Sequence, residues 1–189
     1  MNKSDDDVLI RDARDLARKL LRKSRSGRWL HTQGVAGRAS ELAGTVRKPR
    51  RTALIVAAWL HDIGYAPDLR ETGFPPLDGA LYLQEHDWDD DIVDLVAHHT
   101  GARLVPVKKG VRSALDYFDF GDSDITDALT YANLTVSARG KRMKVADRLA
   151  DAHKRHGTKT SKAQREVRDK YLLEVAGRVE SRLAALKRK

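Results

Sequence analysis

Residues 53–64 read Ala-Leu-Ile-Val-Ala-Ala-Trp-Leu-His-Asp-Ile-Gly, and this stretch decides the fold. The run from Ala53 to Leu60 is apolar on every side of a helix, which predicts a central buried helix over about 51–63. His61 and Asp62 close the run, and a glycine breaks the helix just after them. The carboxyl end of a helix carries partial negative charge. Imidazole and carboxylate groups at that end therefore predict a cation-binding pocket inside the protein.

The chain has 189 residues and no cysteine. This length predicts one compact domain over residues 1–189. Without cysteine there is neither a disulfide nor a thiolate ligand, so any metal must be held by nitrogen and oxygen. Residues 1–7 are polar and acidic, and no apolar run approaches the roughly 20 residues of a membrane span. We therefore expect a soluble, cytoplasmic protein with no membrane partner.

Apolar residues recur at helical rather than alternating spacing, which predicts an all-α bundle of about seven helices. The expected spans, eight when counted separately, are about 7–23, 27–44, 51–63, 77–86, 89–99, 122–136, 144–156 and 161–186. Residues 64–76 are rich in proline and glycine and predict a long loop, and no structure is predicted for 101–121. The last helix carries one apolar stripe, which packs either across the domain or against a second copy in a dimer. Its members are Leu172, Val175, Val179, Leu183 and Leu186.

Three further helices direct polar side chains toward the same core. His31 shares an apolar stripe of its helix. On another helix His99 shares a stripe with His98 beside it, so at least one of these two histidines should face inward. Asn133 stands where an apolar residue is expected. The apolar members of these stripes are Val35, Ala39 and Leu42, then Ile92 and Val96, then Ile125, Leu129 and Ala132. Buried polar side chains need partners. Together with His61 and Asp62, these residues predict a metal or phosphate site.

Five stretches in this order resemble the HD-domain superfamily of all-helical, metal-dependent phosphohydrolases. They are Arg28-Trp-Leu-His31, residues 57–65, Leu77-Asp-Gly-Ala80, residues 95–99 and residues 127–132. The resemblance implies a compact HD-type bundle that binds a divalent ion (Mn, Mg, Fe, Ni, Co or Zn) through His31, His61 and Asp62. It further implies that His98 and His99 line the pocket or hold a second ion.

The same resemblance implies that a nucleotide or other phosphate ester is hydrolysed by metal-activated water. Asp62 would then also orient the water, and His98 is a further candidate catalytic residue. Arg28, Arg70 or nearby lysines would neutralise charge that builds on the phosphate.

Two positions depart from the superfamily pattern. Asn133 stands where the last aspartate ligand is expected, and Pro75 stands where a second-metal histidine is expected. Loss of a carboxylate should weaken a divalent site, although the amide oxygen of Asn133 can still coordinate. Asp147, in an Ala-Asp-Arg motif, is an alternative for the missing aspartate. Asp127 is instead expected to cap a helix or to hydrogen-bond to a residue that binds the metal. The remaining histidines are expected at a helix end (His86) or in packing and surface positions (His153 and His156).

The net charge of +9 is carried by the carboxyl-terminal part of the chain. Residues 1–100 hold 15 basic and 16 acidic side chains, whereas the region from Arg139 onward holds 17 basic and 6 acidic ones. This basic region is a solvated face or attracts a phosphate-rich partner, nucleic acid included. Residues 139–144 contain no aromatic residue for base stacking. Three functions remain open: an active phosphohydrolase, a catalytically degenerate HD module that binds an anionic ligand in a regulatory role, and a nucleic-acid-binding protein. A di-iron oxygenase is disfavoured because Pro75 removes a histidine ligand.

Overall fold

The computed structural model describes residues 3–22, 27–121, 123–156 and 161–188. Within these residues the chain forms nine α-helices and no β-strand, and none of the helices is both long and apolar enough to cross a membrane. The helices are α1 (Lys3–Leu21), α2 (Arg28–Leu42), α3 (Arg51–Leu60), α4 (Pro75–Glu85), α5 (Asp90–His98), α6 (Lys109–Leu115), α7 (Asp124–Leu134), α8 (Val145–His156) and α9 (Lys162–Leu186). The predicted all-α fold is confirmed.

Helix α3 lies at the centre of the fold, as its sequence predicts. Leu54, Val56, Ala57 and Leu60 are buried, and α3 packs against α1, α2, α5 and α7. Burying a leucine or valine side chain contributes about 1.5–3 kcal/mol relative to leaving it exposed. These contacts anchor α3 in the core and place its carboxyl end, where His61 follows, inside the protein.

Some element boundaries differ from the predicted ones. Helix α4 begins at Pro75, two residues before the predicted start, because proline is well tolerated in the first turn of a helix. The segment 101–121, for which no structure was predicted, contains α6 after a 3-10 segment at His99–Leu104. Two predicted helix limits, at Lys23 and Asp122, lie outside the described residues.

A tight turn after α7 crosses the amino-terminal end of α2. The backbone nitrogen of Ser137 donates to the carbonyl of Lys141 at 2.8 Å. Gly140 has a φ of 73° and lies against the carbonyl of Leu30. A Cβ on Gly34 would lie 2.6 Å from the Gly140 oxygen, so the close approach requires glycine on both sides. The turn thereby places the Ser137 carbonyl beside α2.

Helix α9 covers α7 with its predicted apolar stripe. Leu172 and Val179 are fully buried, and α9 packs along α7. The stripe therefore packs across the chain's own fold, which is the first of the two predicted arrangements, and a dimer stays a prediction. Asp127 of α7 is 3 % exposed and pairs with Arg178 at 2.6 Å and with Arg182 at 2.7 Å. Asp127 thus links α9 to α7 through ion pairs, whereas the sequence predicted that it caps a helix or hydrogen-bonds to a metal-binding residue.

Candidate metal centre

His61 and Asp62 enter the protein interior where α3 ends. A 3-10 turn (Ile63–Tyr65) follows the helix directly. His61 is fully buried and Asp62 is 2 % exposed. Gly64 lets this turn lie against α4, because a Cβ on it would lie 2.6 Å from the backbone nitrogen of Gly79. The glycine that breaks the helical pattern therefore also brings α4 close to the histidine and aspartate.

Three histidines present the same ring nitrogen to Asp62. Their Nδ1 atoms donate to backbone carbonyls: His31 to Ser137 at 3.0 Å, His61 to Ala58 at 2.8 Å and His99 to Val96 at 2.7 Å. A neutral imidazole that carries its hydrogen on Nδ1 has a lone pair on Nε2. The Nε2 atoms of His31 and His61 lie 3.9 and 3.6 Å from Asp62 Oδ2, and that of His99 lies 3.8 Å from Oδ1. Backbone hydrogen bonds thus orient three metal-binding lone pairs toward one carboxylate.

Asn133 of α7 joins this group through its amide oxygen. Its Oδ1 lies 3.1 Å from His31 Nε2, while its Nδ2 donates to Thr100 Oγ1 at 2.7 Å. The Nη2 atom of Arg148 lies 3.4 Å from the same Oδ1, which favours the oxygen on this side of the amide. Because His31 carries its hydrogen on Nδ1, two lone pairs face each other across 3.1 Å. A cation bound to both atoms resolves this repulsion.

Arg28 holds the carboxylate from the other side. Its Nη1 atom lies 2.7 Å from Asp62 Oδ2, and its guanidinium carbon lies 3.6 Å from the centre of the Tyr65 ring. Burial lowers the pKa of Arg28, but its interactions with Asp62 and Tyr65 outweigh burial and raise the pKa overall. Arg28 therefore stays charged at the edge of the group.

The protonation states suit metal binding at neutral pH. Burial lowers the pKa of His61 to about 3 and also lowers the pKa values of His31 and His99. Burial raises the pKa of Asp62, but the facing histidines and Arg28 outweigh it and hold this pKa below its usual range. The group thus offers three neutral imidazoles and one ionised carboxylate.

One atom of the group lacks the partner that burial requires. His61 Nε2 is buried and has no hydrogen-bond partner among the described residues. Leaving a buried polar atom unpaired costs about 1–3 kcal/mol. The ligand atoms of His31, His61 and Asp62 all lie within 4.8 Å of one another. These nitrogen and oxygen donors fit a divalent metal ion, which would supply the missing partner.

Three of the predicted site residues lie elsewhere. His98 donates from Nε2 to the carbonyl of Phe118 at 3.0 Å, and its ring packs edge-on against Phe120. Asp147 is exposed on α8, and Arg70 is exposed in the segment before α4. The structure brings together Arg28, His31, His61, Asp62, His99 and Asn133, without His98, Asp147 or Arg70.

His86 and His153 occupy a helix-end and a surface position, as predicted. His86 ends α4 and donates from Nδ1 to the carbonyl of Tyr82 at 2.8 Å. His153 pairs with Asp169 at 2.8 Å on the surface. The side chain of His156 lies outside the described part of the chain.

Three residues near the centre were not predicted from the sequence. Thr100 adopts a left-handed conformation, with φ 55° and ψ 37°, and its hydroxyl accepts the Asn133 amide hydrogen. Arg148 approaches Asn133, and Arg168 of α9 donates from Nη2 to the Thr100 carbonyl at 3.2 Å. The motif that drew attention to Asp147 also contains Arg148. No sequence signal marks Thr100, because a β-branched residue rarely has a positive φ.

Comparison with known families gives one match. Residues 28–152 match a family model described as HD domain. The matched span is more than half of the chain and contains all the residues that converge on Asp62, whereas α9 lies outside it. No curated protein and no solved structure matches the chain.

Proposed function

Because the chain belongs to the HD-domain family, whose members are metal-dependent phosphohydrolase-like proteins, we propose that it hydrolyses a phosphate ester at a divalent metal centre. His31, His61, Asp62 and the amide oxygen of Asn133 would hold the ion, and His99 would lie beside it. The observation that carries the proposal is the unpaired Nε2 atom of buried His61. It faces the one carboxylate around which the other histidines gather.

The donor set favours a transition metal over magnesium. Two imidazoles, one carboxylate and one amide oxygen suit manganese, iron, cobalt, nickel or zinc, whereas magnesium prefers oxygen ligands alone. A neutral amide at Asn133 leaves Asp62 as the only charged donor among the proposed ligands. We therefore expect weaker binding than a site with two carboxylates would give.

The side chains around the centre would have two roles in the reaction, which are charge neutralisation and proton acceptance. A divalent ion at such a site supplies Lewis-acid chemistry that lowers the pKa of water and polarises a phosphoryl group. Arg28 and Arg148 carry positive charge beside Asp62 and Asn133, and they would neutralise the negative charge that builds on the phosphate. His99, with its Nε2 lone pair 3.8 Å from Asp62 Oδ1, would accept a proton from water. We assign this role to His99 because His98 is bonded to Phe118.

Metal analysis combined with a phosphatase and nucleotidase screen tests the proposal. We expect one manganese, iron, cobalt, nickel or zinc ion per purified chain and metal-dependent turnover of at least one phosphate ester. His61→Ala should abolish both, because it removes the buried donor. His86→Ala removes an exposed histidine from the end of α4 and should change neither. Turnover that survives His61→Ala, or equal losses in the two variants, would refute the assignment.

A second candidate is a catalytically degenerate HD module that binds an anionic ligand. The neutral amide at Asn133 favours this candidate, because an uncharged ligand lowers the affinity for a cation. The positive charges of Arg28 and Arg148 would still attract an anion. This candidate predicts phosphate binding without metal and without turnover. Calorimetric titration of the chelator-treated protein with inorganic phosphate distinguishes it from the enzyme, which should need the metal for tight binding.

Nucleic-acid binding through the basic region receives less support from the side-chain contacts. Arg178 and Arg182 pair with buried Asp127, and Arg142 pairs with Glu41. These arginines neutralise carboxylates of the same chain, which leaves fewer free charges for a phosphate backbone. A binding assay with DNA and RNA over a range of salt concentrations tests this candidate. Absence of binding at low salt would eliminate it.

A further inference from the structure

Helix α9 brings a guanidinium group from outside the matched span to the edge of the metal centre. Arg168 Nη2 donates to the carbonyl of Thr100, and the hydroxyl of Thr100 accepts the amide hydrogen of Asn133. A single residue therefore separates Arg168 from the amide that faces His31. The charge of Arg168 also interacts with Tyr65, whose ring lies under Arg28.

Arg168 lacks the acceptors that a buried guanidinium needs. Its Nε atom is buried without a hydrogen-bond partner, and the group forms no ion pair with any residue in the described ranges. Burial also lowers the pKa of Arg168. Such a group costs free energy unless an anion pairs with it. The charge of neighbouring Asp169, which pairs with His153, offsets part of the Arg168 charge. The unpaired Nε donor still favours a further, anionic acceptor.

The backbone that holds Arg168 is strained. Thr100 has a positive φ of 55°, a backbone conformation that is unfavourable for a β-branched residue. The next residue, Gly101, also has a positive φ, of 67°, and packs against the ring of Tyr171 in α9. Strain of this kind persists where the surrounding structure holds it and is typical of functional positions. Here it lets one residue bind Asn133 with its hydroxyl and Arg168 with its carbonyl.

Three guanidinium groups lie at or near the centre. Arg28 contacts Asp62, and Arg148 contacts Asn133. Arg168 contacts the carbonyl of Thr100, whose hydroxyl in turn contacts Asn133. Asp62 supplies the only carboxylate among the proposed ligands. One phosphate at the metal centre would engage Arg28 and Arg148, which leaves Arg168 for a phosphate farther along the same substrate.

We propose that Arg168 binds a second phosphate of the substrate, so that the protein prefers esters with linked phosphates, of the di- or triphosphate type, over monophosphates. This inference rests on the proposed function, because the first phosphate is placed at the metal centre. Guanidinium groups bind phosphate through two parallel N–H donors. With Nη2 held by Thr100, the unpaired Nε remains to donate to the second phosphate.

The test is calorimetric titration of the full-length, manganese-loaded protein with tripolyphosphate and, separately, with inorganic phosphate. Manganese is kept in both cell and syringe, in excess over protein and polyphosphate together. Arg168→Met should weaken tripolyphosphate binding at least about tenfold and change phosphate binding less than about twofold, since one charged hydrogen-bonding group is lost at the second position only. Arg168→Lys, which keeps the charge but loses the paired donors, should fall between wild type and Arg168→Met.

The matched control is Lys170→Met, which removes one positive charge from an exposed position of the same helix. It should leave the binding of both ligands unchanged, and thermal unfolding of each variant confirms that the fold is intact. Equal weakening of both ligands by Arg168→Met, or no weakening, would overturn the inference while manganese content and turnover leave the proposed function standing. A wild-type protein that binds neither manganese nor tripolyphosphate would overturn both.

Discussion

Replacing Asn133 by aspartate should tighten manganese binding, because it places a second carboxylate among the ligand atoms. Asn133 Oδ1 lies 3.1 Å from His31 Nε2 and 3.4 Å from Arg148 Nη2. Two unit charges 4 Å apart interact by about 4 kcal/mol at an effective dielectric constant of about 20. Part of this gain is lost because the new carboxylate also pairs with Arg148 and repels Asp62. We therefore expect the dissociation constant to fall at least about tenfold, or about 1.4 kcal/mol.

The substitution should leave the fold intact. Thr100 Oγ1 now accepts a hydrogen from Asn133 Nδ2 at 2.7 Å, and a hydroxyl can rotate to donate to a carboxylate instead. Competitive titration of manganese against a chromogenic chelator at constant pH measures the affinity. Gln84→Glu, at an exposed position of α4, is the control because it adds the same charge away from the centre.

Two results would refute this reasoning. An unchanged manganese affinity in Asn133→Asp would show that residue 133 does not face the ion. An equal gain in Gln84→Glu would show that net charge, rather than coordination, determines the affinity. A gain confined to Asn133→Asp supports the amide as a weak ligand in the natural sequence.

Further predictions concern the neighbours of the centre. Arg28→Gln removes the ion pair that Arg28 forms with Asp62 at 2.7 Å, so manganese should bind severalfold more tightly. Turnover should fall at least about tenfold, because a charge that neutralises the phosphate is lost. A loss of both manganese affinity and turnover would contradict this role of Arg28. The pKa of His61 is lowered by burial from 6.5 to about 3, so the unfolded chain binds the extra proton. Between pH 7 and pH 5 the metal-free protein should lose about 2 kcal/mol of unfolding free energy from this residue. Urea titrations in chelator measure this loss, which His61→Ala should reduce. Asp127→Asn loosens two ion pairs to α9 and should lower the unfolding free energy by about 2 kcal/mol without changing manganese affinity; a large change in affinity would mean that α9 positions the ligands.

The sequence was sufficient to predict the parts of the centre that depend on local pattern. An unbroken apolar run identified α3 as buried, and its last residues had to enter the core with it. Helical spacing likewise predicted that His31 and Asn133 face inward, because each replaces an apolar residue in a stripe. The pattern did not separate His99 from His98, since His99 follows the Ile92 and Val96 stripe and His98 follows Leu95 on the stripe beside it. The change of backbone direction at residues 98–100 decides between them, and residue types alone do not encode it.

The remaining contributors depend on tertiary approach. Arg168 reaches the centre only because Gly101 packs against Tyr171 and brings α9 close. On the sequence Arg168 is one of many basic residues on a charged helix. Thr100 contributes through a backbone conformation that its side chain disfavours. The Ser137 carbonyl, which orients His31, comes from a turn whose path depends on the close approach of Gly140 in the turn to Gly34 of α2.

Anomalous diffraction at the manganese absorption edge, from crystals grown with manganese, tests most directly whether these side chains form a metal centre. We expect one peak in bonding contact with the Nε2 atoms of His31 and His61, a carboxylate oxygen of Asp62 and Oδ1 of Asn133. The Arg28 guanidinium should then share Asp62 with the ion. A well-ordered structure with no peak at these atoms, or with manganese bound only elsewhere on the protein, would contradict the metal centre and the function proposed from it.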